Sequence, residues 1–237
     1  GTGALTTTPG ISGADYVSKP IILDVGGQDY LFVAAQNGAN DGRGHRINLA
    51  TGARTEFTAV SGGNEKLRGL SEHNGKLYMA YSRSAGFFGV TRGEVVRFND
   101  NMSRDNTWGN GNGRVMDTGA NTGWDFGNDG ESRVEMAFSG GNLYVQMDNG
   151  SRSRIQSWDV ASGTVSAENN FSAAGFISSG VSGGTQVHSP VIDGGNVYAA
   201  VDSTVFGGQN RIYARQLNGS AIAGWTDINL PGSEKAI

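Results

Sequence analysis

Four tyrosine-centred hairpins, spaced by roughly 50 to 65 residues, are the feature that most constrains the fold of this chain. In each, a short apolar run meets a turn and a second apolar run follows around a tyrosine. The four tyrosines are Tyr30, Tyr78, Tyr144 and Tyr198. Repeats that hold several short strands are typical of architectures built from small antiparallel sheets, and the β-propeller fits best. We therefore expect an all-β propeller of four-stranded antiparallel blades.

The fourth unit shows the expected blade most clearly. Its strand-like runs cover residues 188–192, 196–201, 211–215 and 221–225, separated by turns rich in Gly and Asn. The other units follow the same order, which predicts blades at 17–62, 66–131, 133–182 and 187–231 of one domain covering 1–237. A large ring near the end of each unit is expected to fill the wedge between neighbouring sheets. These rings are Phe57, Trp108, Phe171 and Trp225.

Both ends of the chain match parts of the repeat. Residues 1–10 match the fourth-strand run that follows residue 50, and residues 232–236 match residues 63–67, where a first strand begins. The N-terminal run therefore belongs to a preceding or closing blade. Either it completes a closed ring of four blades, or the chain is an excerpt from a larger ring. The two broken repeats favour the excerpt and predict at least four blades.

Two stretches of the repeat resemble a known family. Residues 189–198 (Ser-Pro-Val-Ile-Asp-Gly-Gly-Asn-Val-Tyr) and 47–54 (Ile-Asn-Leu-Ala-Thr-Gly-Ala-Arg) are similar to repeats of the quinoprotein-like, pyrroloquinoline-quinone-repeat β-propellers. That family carries Asp before the Ala-x-Thr-Gly turn and Trp after it. Here Asn48 and Phe57 stand at those places, and residues 158–163 come nearer to the full form. The resemblance implies the fold. Quinone enzymes of the family also use a vicinal cysteine pair, which this chain lacks, so the quinone cofactor is disfavoured.

Composition narrows the class of partner. The formal net charge is −4, and only 4 of the 18 basic residues are lysine, with no basic run to neutralise phosphates or bind a membrane surface. No apolar stretch reaches the roughly 20 residues needed to span a bilayer. Without cysteine the chain forms no disulfide or Cys-ligated zinc site. The low lysine content with abundant Gly, Asn, Ser and Thr favours an extracellular or cell-surface location, with the periplasm as alternative.

Candidate ligand-binding residues lie where the first strand of each blade would line the central channel. Their cationic bias favours an anionic or hydroxylated ligand. The competing interpretation, which the residue types favour, is that backbone carbonyls and water satisfy these groups. Aromatic rings in the loops between second and third strands suit sugar recognition, or else cover the loop base or contact an adjacent domain. The channel candidates are Lys19, Arg68, Arg133, Glu135 and His188, and the loop candidates are Phe87, Phe88 and Phe206.

A long insertion at 105–132 carries oxygen-bearing side chains. Asp125, Asp129 and Glu131 are candidate calcium ligands, although their spacing departs from the D-x-[DN]-x-[DN]-G loop. Residues 99–101 with Asp105 form a second loose cluster. A solvated turn is the favoured interpretation of both. Calcium is therefore the one cofactor that stays open.

Function follows only weakly from these patterns. The chain contains no H-E-x-x-H motif or P-loop, and no catalytic residue is assigned. The main hypothesis is a non-catalytic extracellular module that binds carbohydrate or serves adhesion or the matrix, with a glycan, a surface component or a protein as partner. One alternative is a glycoside hydrolase or lyase, with Glu135 and the 125–131 segment as acid and base. The other is a scaffold for protein assembly.

Overall fold

The computed structural model describes residues 14–37, 41–58, 65–84, 91–116, 134–148, 153–164, 185–187, 190–203, 211–217 and 220–229. These residues form four antiparallel sheets, which are the blades of an all-β propeller. Blade 1 holds β1 (Ala14–Val17), β2 (Ile21–Asp24), β3 (Asp29–Asn37), β4 (Asp41–Asn48) and β5 (Arg54–Thr58). Blade 2 holds β6 (Glu65–His73), β7 (Lys76–Ser84), β8 (Thr91–Phe98) and β9 (Arg114–Met116), with a π-helical turn at Gly109–Gly113.

Blades 3 and 4 repeat this order. Blade 3 holds β10 (Ala137–Ser139), β11 (Asn142–Asp148) and β12 (Ser153–Asp159). Blade 4 holds β13 (Thr185–Val187), β14 (Val191–Asp193), β15 (Asn196–Ser203), β16 (Arg211–Gln216) and β17 (Ile228–Asn229). Each blade is an antiparallel meander, and in blades 1 and 4 the first two strands both pair with the third. The propeller expected from the tyrosine repeat is therefore confirmed.

The first strand of blade 1 is split in two, where the sequence predicted one strand. Both β1 and β2 pair with β3, and residues 18–20 lie between them. Ser18 closes the gap, since its backbone N–H donates to Ala34 O at 2.8 Å and its Oγ accepts from Ala34 N at 2.9 Å. Pro20 has no N–H to continue the ladder. The break places Lys19 at a bend beside the channel.

Alternate residues of each second strand face opposite neighbours, as the two-residue period of a strand requires. In β7, Leu77, Met79 and Tyr81 pack towards blade 1, whereas Tyr78 and Ala80 pack towards blade 3. The prediction of wedge aromatics is confirmed for the two rings that lie between described blades. Phe57 packs edge-on to Phe98 at 5.1 Å, and Trp108 is fully buried between blades 2 and 3. Phe171 lies outside the described residues.

The end of blade 4 differs from the prediction of a fourth strand at 221–225. Only a bridge between Arg215 and Ala221 forms there, and the strand is β17. The reason is a tight bend in which Trp225 N donates to Ile222 O at 3.1 Å, and Gly224 adopts a φ of 76°. The bend turns the Trp225 ring onto its own blade, where it meets Tyr198 edge-on at 5.7 Å.

Candidate functional site

The inner strands of blades 2 and 3 are joined by backbone contacts that fix the wall of the channel. A bulge between Leu67 and Gly69 turns the backbone of β6 towards blade 3, where Arg68 O accepts from Val134 N at 2.9 Å. Gly69 is required at this place, because an added Cβ would lie 1.9 Å from Val134 O. Two residues further on, Met136 N donates to Ser71 Oγ at 3.3 Å.

Glu135 is held between these two hydrogen bonds, and its side chain points away from the wall. The side chain is 65% exposed, and its Oε1 lies 3.8 Å from the Nζ of Lys19, which is itself 78% exposed. Lys19 belongs to blade 1 and Glu135 to blade 3. The contact therefore reaches across blade 2 and joins two of the channel residues expected from the sequence. We call Lys19, Arg68 and Glu135 the channel cluster.

Arg68 lies behind the exposed pair. Its side chain is buried, and its Nε donates to Ser82 Oγ at 3.0 Å. The opposite face of the sheet also buries polar groups: Tyr81 donates its hydroxyl proton to Glu94 Oε2 at 2.9 Å, and Arg114 Nη1 lies 3.5 Å from the same oxygen. Glu94 is only 2% exposed, so its charge is neutralised inside the protein. Blade 2 therefore buries charged and hydroxyl groups on both of its faces.

Sequence reasoning missed the Tyr81–Glu94 pair. These residues are directly opposite each other in β7 and β8, where cross-strand side chains meet. A carboxylate directly before Val95 and Val96 was the available signal. The tyrosine was hidden because Tyr78, three residues earlier, carries the repeat.

The oxygen cluster at residues 99–105 bonds to protein donors. Asn101 Oδ1 accepts from Ser103 N at 2.9 Å, and Asp105 Oδ2 lies 3.0 Å from Arg97 and 3.2 Å from Lys76. Within the described ranges, no three or more His, Cys, Asp or Glu side chains come together in a way that could hold a metal ion. The turn interpretation of this cluster therefore fits its hydrogen bonds.

The remaining candidates lie outside the described residues and stay predictions. They are the ligand-binding candidates Arg133, His188, Phe87, Phe88 and Phe206, and the calcium candidates Asp125, Asp129 and Glu131. In the described part of the chain, no helix has the length and apolar character needed to cross a membrane.

Comparison with known proteins supports the fold through structure rather than through sequence. No protein-family model matches the sequence, and no curated protein does either. Among solved structures, a thermostable family-43 glycoside hydrolase is similar over 94% of this chain and 75% of its own, with a TM-score of 0.51 and 9% identity. A europium-containing methanol dehydrogenase is similar over 88% of this chain, with a TM-score of 0.52 and 12% identity. BamB from Moraxella catarrhalis is similar over 91%, with a TM-score of 0.51 and 13% identity.

The chain spans 42% of the methanol dehydrogenase and 50% of BamB. At these identities the likenesses establish the fold alone. They confirm the resemblance to quinoprotein-like propellers at the level of the fold.

The main functional hypothesis from the sequence, a non-catalytic binding or adhesion module, is wrong. The finding that overturns it is the likeness to a family-43 glycoside hydrolase, which is an enzyme. A pair of catalytic carboxylates has no short sequence motif, because only the distance between the two groups in the folded chain defines it.

Proposed function

We propose that this chain is a glycoside hydrolase that cleaves its substrate at the mouth of the propeller channel. The observation that carries the proposal is Glu135, an exposed carboxylate fixed by backbone bonds on both sides and facing Lys19 at 3.8 Å. A carboxylate in a fixed position on a channel wall is what a glycosidase needs for acid, base or nucleophilic chemistry. The likeness to a family-43 glycoside hydrolase supports the same reaction class.

Hydrolysis needs a second carboxyl group, and the segment just before blade 3 offers three. We propose Asp125, Asp129 or Glu131 as this partner of Glu135. A separation of about 5 Å between the two carboxyl groups would give retention of anomeric configuration through a glycosyl-enzyme intermediate. A separation of about 6.5 to 9.5 Å would leave room for a water and give inversion.

Substrate binding is assigned to the cations and rings around the channel. We propose that Lys19 and Arg133 donate hydrogen bonds to sugar hydroxyl or carboxylate groups, as ammonium and guanidinium groups do. Phe87, Phe88 and Phe206 would stack on the apolar faces of sugar rings. The composition supports an extracellular or cell-surface location, with the periplasm as alternative, where such glycans occur.

The test is turnover on a panel of aryl glycosides and polysaccharides, followed by reducing-end release and chromatography. We expect cleavage of at least one substrate by the wild-type chain, and a loss in kcat of about 100-fold or more for Glu135→Gln. Glu72→Gln is the matched control, because Glu72 caps a hairpin turn by accepting from Gly75 N at 2.9 Å and lies away from the channel cluster. Its activity should equal that of the wild type.

Two results would count against the proposal in different ways. Absence of turnover across the panel between pH 4 and pH 8 refutes the hydrolase function. Wild-type activity in Glu135→Gln refutes the role of Glu135, and the same measurement on Asp125→Asn, Asp129→Asn and Glu131→Gln then identifies the carboxylates that act.

A further inference from the structure

Blades 2 and 3 are locked together by one tryptophan and one turn. Trp108 Nε1 donates to Asp159 O at 3.2 Å, and the next residue, Gly109, donates its N–H to Ser162 O at 2.9 Å. The fit is tight, since a Cβ added to Gly163 would lie 2.7 Å from Gly109 N. We call Trp108 with Gly109 the donor and the turn 159–163 the acceptor of this joint.

Blade 4 carries a second copy of the donor. Trp225 meets Tyr198 edge-on at 5.7 Å, as Trp108 meets Tyr78 at 5.6 Å. The backbone is the same as well: Trp108 N donates to the carbonyl three residues earlier at 3.1 Å, and so does Trp225 N. In the part of the chain that the structure describes, the buried Nε1 of Trp225 has no hydrogen-bond partner. Trp225 therefore repeats the geometry of Trp108 without the hydrogen bond that Trp108 makes to the next blade.

Blade 1 carries a second copy of the acceptor. Its turn 48–52 reads Asn-Leu-Ala-Thr-Gly, and the turn 159–163 reads Asp-Val-Ala-Ser-Gly. Gly52 N donates to Asn48 O at 2.8 Å, as Gly163 N donates to Asp159 O at 2.7 Å, and the two glycines have φ values of 71° and 75°. A Cβ added to Gly52 meets no described atom within 4 Å. This acceptor is therefore open.

Apolar exposure marks the same two faces. Among the described residues, the exposed large hydrophobic side chains are Ile22 and Leu49 on blade 1, and Val191 and Ile228 on blade 4. Ile22 pairs with Leu31, on the side of blade 1 that points away from blade 2. Val191 pairs with Tyr198, on the side of blade 4 that points away from blade 3. Both faces therefore have the apolar character of an interface between two blades.

We propose that a second copy of this chain docks head to tail, so that Trp225 of each copy enters the 48–52 turn of the other. The donor of blade 2 contacts the acceptor of blade 3 in the same chain. In the dimer, the donor of blade 4 would contact the acceptor of blade 1 of the second copy in the same way. Two such joints related by a two-fold axis along the channel close a ring. The ring holds eight blades, within the four to eight that are typical of propellers.

The joint can be trapped because the chain contains no cysteine. Thr51 and Thr226 occupy the positions of Ser162 and Gly109, whose backbones are hydrogen-bonded at 2.9 Å. Cysteines there should fall within the roughly 4.4 to 6.8 Å Cα separation that a disulfide spans. We expect an equimolar mixture of Thr51→Cys and Thr226→Cys chains to form a disulfide-linked dimer under mild oxidation. A mixture of Ser162→Cys and Thr226→Cys is the matched control, and it should stay unlinked because Gly109 already occupies that turn.

Native mass spectrometry and analytical sedimentation measure the oligomeric state of the chain in the absence of a disulfide. The wild-type chain should sediment as a dimer of twice 24.7 kDa. Trp225→Ala and Leu49→Glu, which alter opposite sides of the joint, should each raise the dissociation constant at least tenfold with an unchanged circular dichroism spectrum.

Three results overturn the proposal. A monomer at 100 µM with no disulfide in the test mixture assigns the two faces to another polypeptide. An intrachain disulfide in the Thr51→Cys/Thr226→Cys double variant shows that four blades close on themselves. Assemblies of three or more copies exclude the two-fold ring. None of these results bears on glycan cleavage at Glu135, which is measured separately.

Discussion

Replacing Asp105 by asparagine is expected to destabilise the propeller in a pH-dependent way. The Asp105 side chain is only 7% exposed, and its Oδ2 lies 3.0 Å from Arg97 Nη2 and 3.2 Å from Lys76 Nζ. Arg97 also donates through Nη1 to Val160 O in the next blade. The Asp105 carboxylate therefore neutralises the arginine that connects blades 2 and 3.

The size of the effect follows from the pKa of this carboxyl group. Burial raises the pKa, but hydrogen bonds from Thr107 and Lys76 and the charge of Arg97 outweigh burial and lower it from 3.8 to about 2. A lowered pKa means that the carboxylate stabilises the fold fully above about pH 4, and that this contribution is lost as the pH falls towards 2. At 1.36 kcal/mol per pKa unit, the shift of about 1.8 units contributes about 2.4 kcal/mol at neutral pH. The same linkage leaves about 1.3 kcal/mol at pH 3.

Urea unfolding at pH 7 and pH 3 measures this contribution. At pH 7, Asp105→Asn should cost about 3 to 5 kcal/mol, because Arg97 is left buried without its anionic partner. At pH 3 the cost should shrink by about 1 kcal/mol, the part of the wild-type stabilisation lost by then. Asp100→Asn, an exposed change in the neighbouring turn, should change the free energy of unfolding by less than about 0.5 kcal/mol at either pH. An equal cost for Asp105→Asn at both pH values would refute the electrostatic reasoning.

Three further predictions concern the channel wall, a buried histidine and calcium. Gly69→Ala should lower the melting temperature far more than Gly52→Ala. The new Cβ at position 69 would lie 1.9 Å from Val134 O, whereas Gly52→Ala adds only left-handed backbone strain of about 1 kcal/mol. Equal decreases in melting temperature would contradict this. Burial lowers the pKa of His45 despite the nearby Glu56 carboxylate. The free energy of unfolding in urea should therefore keep its full His45 contribution above pH 6.5 and decrease at lower pH. His45→Gln should reduce this dependence of stability on pH. Because a solvated turn is the favoured interpretation of Asp125, Asp129 and Glu131, millimolar calcium should leave the melting temperature in differential scanning fluorimetry unchanged, and a rise would show that calcium binds the folded chain.

The blades were predictable because their signals are local. Each tyrosine hairpin carries its own turn residues and its own alternation, so the strands around Tyr78 and Tyr198 follow from a few neighbouring residues. The bend at Trp225 was not predictable in the same way. A run of apolar residues at 221–225 suits a strand, but the turn at Gly224 places the indole against its own blade.

The channel cluster was predictable only in part. The position of Glu135 at the start of an inner strand follows from the repeat, as do those of Lys19 and Arg68. The contact between Lys19 and Glu135 does not, because the two residues lie in different blades, and the bulge beside Arg68 that turns β6 towards blade 3 has no sequence signature. The buried partner Glu94 was missed because burial of a carboxylate depends on Tyr81 and Arg114, which come from separate strands.

The hydrogen bonds that fix the backbone of the channel wall do not involve the charged groups of Arg68 and Glu135. Arg68 contributes its carbonyl oxygen and Ser71 its hydroxyl to fix the backbone on either side of Glu135, while the side chains at 68 and 135 make other contacts. Side chains at the channel can therefore be exchanged during evolution while the frame that presents them stays in place. Related chains of this architecture are free to diverge in ligand preference through single substitutions, provided that Gly69 and the bulge persist.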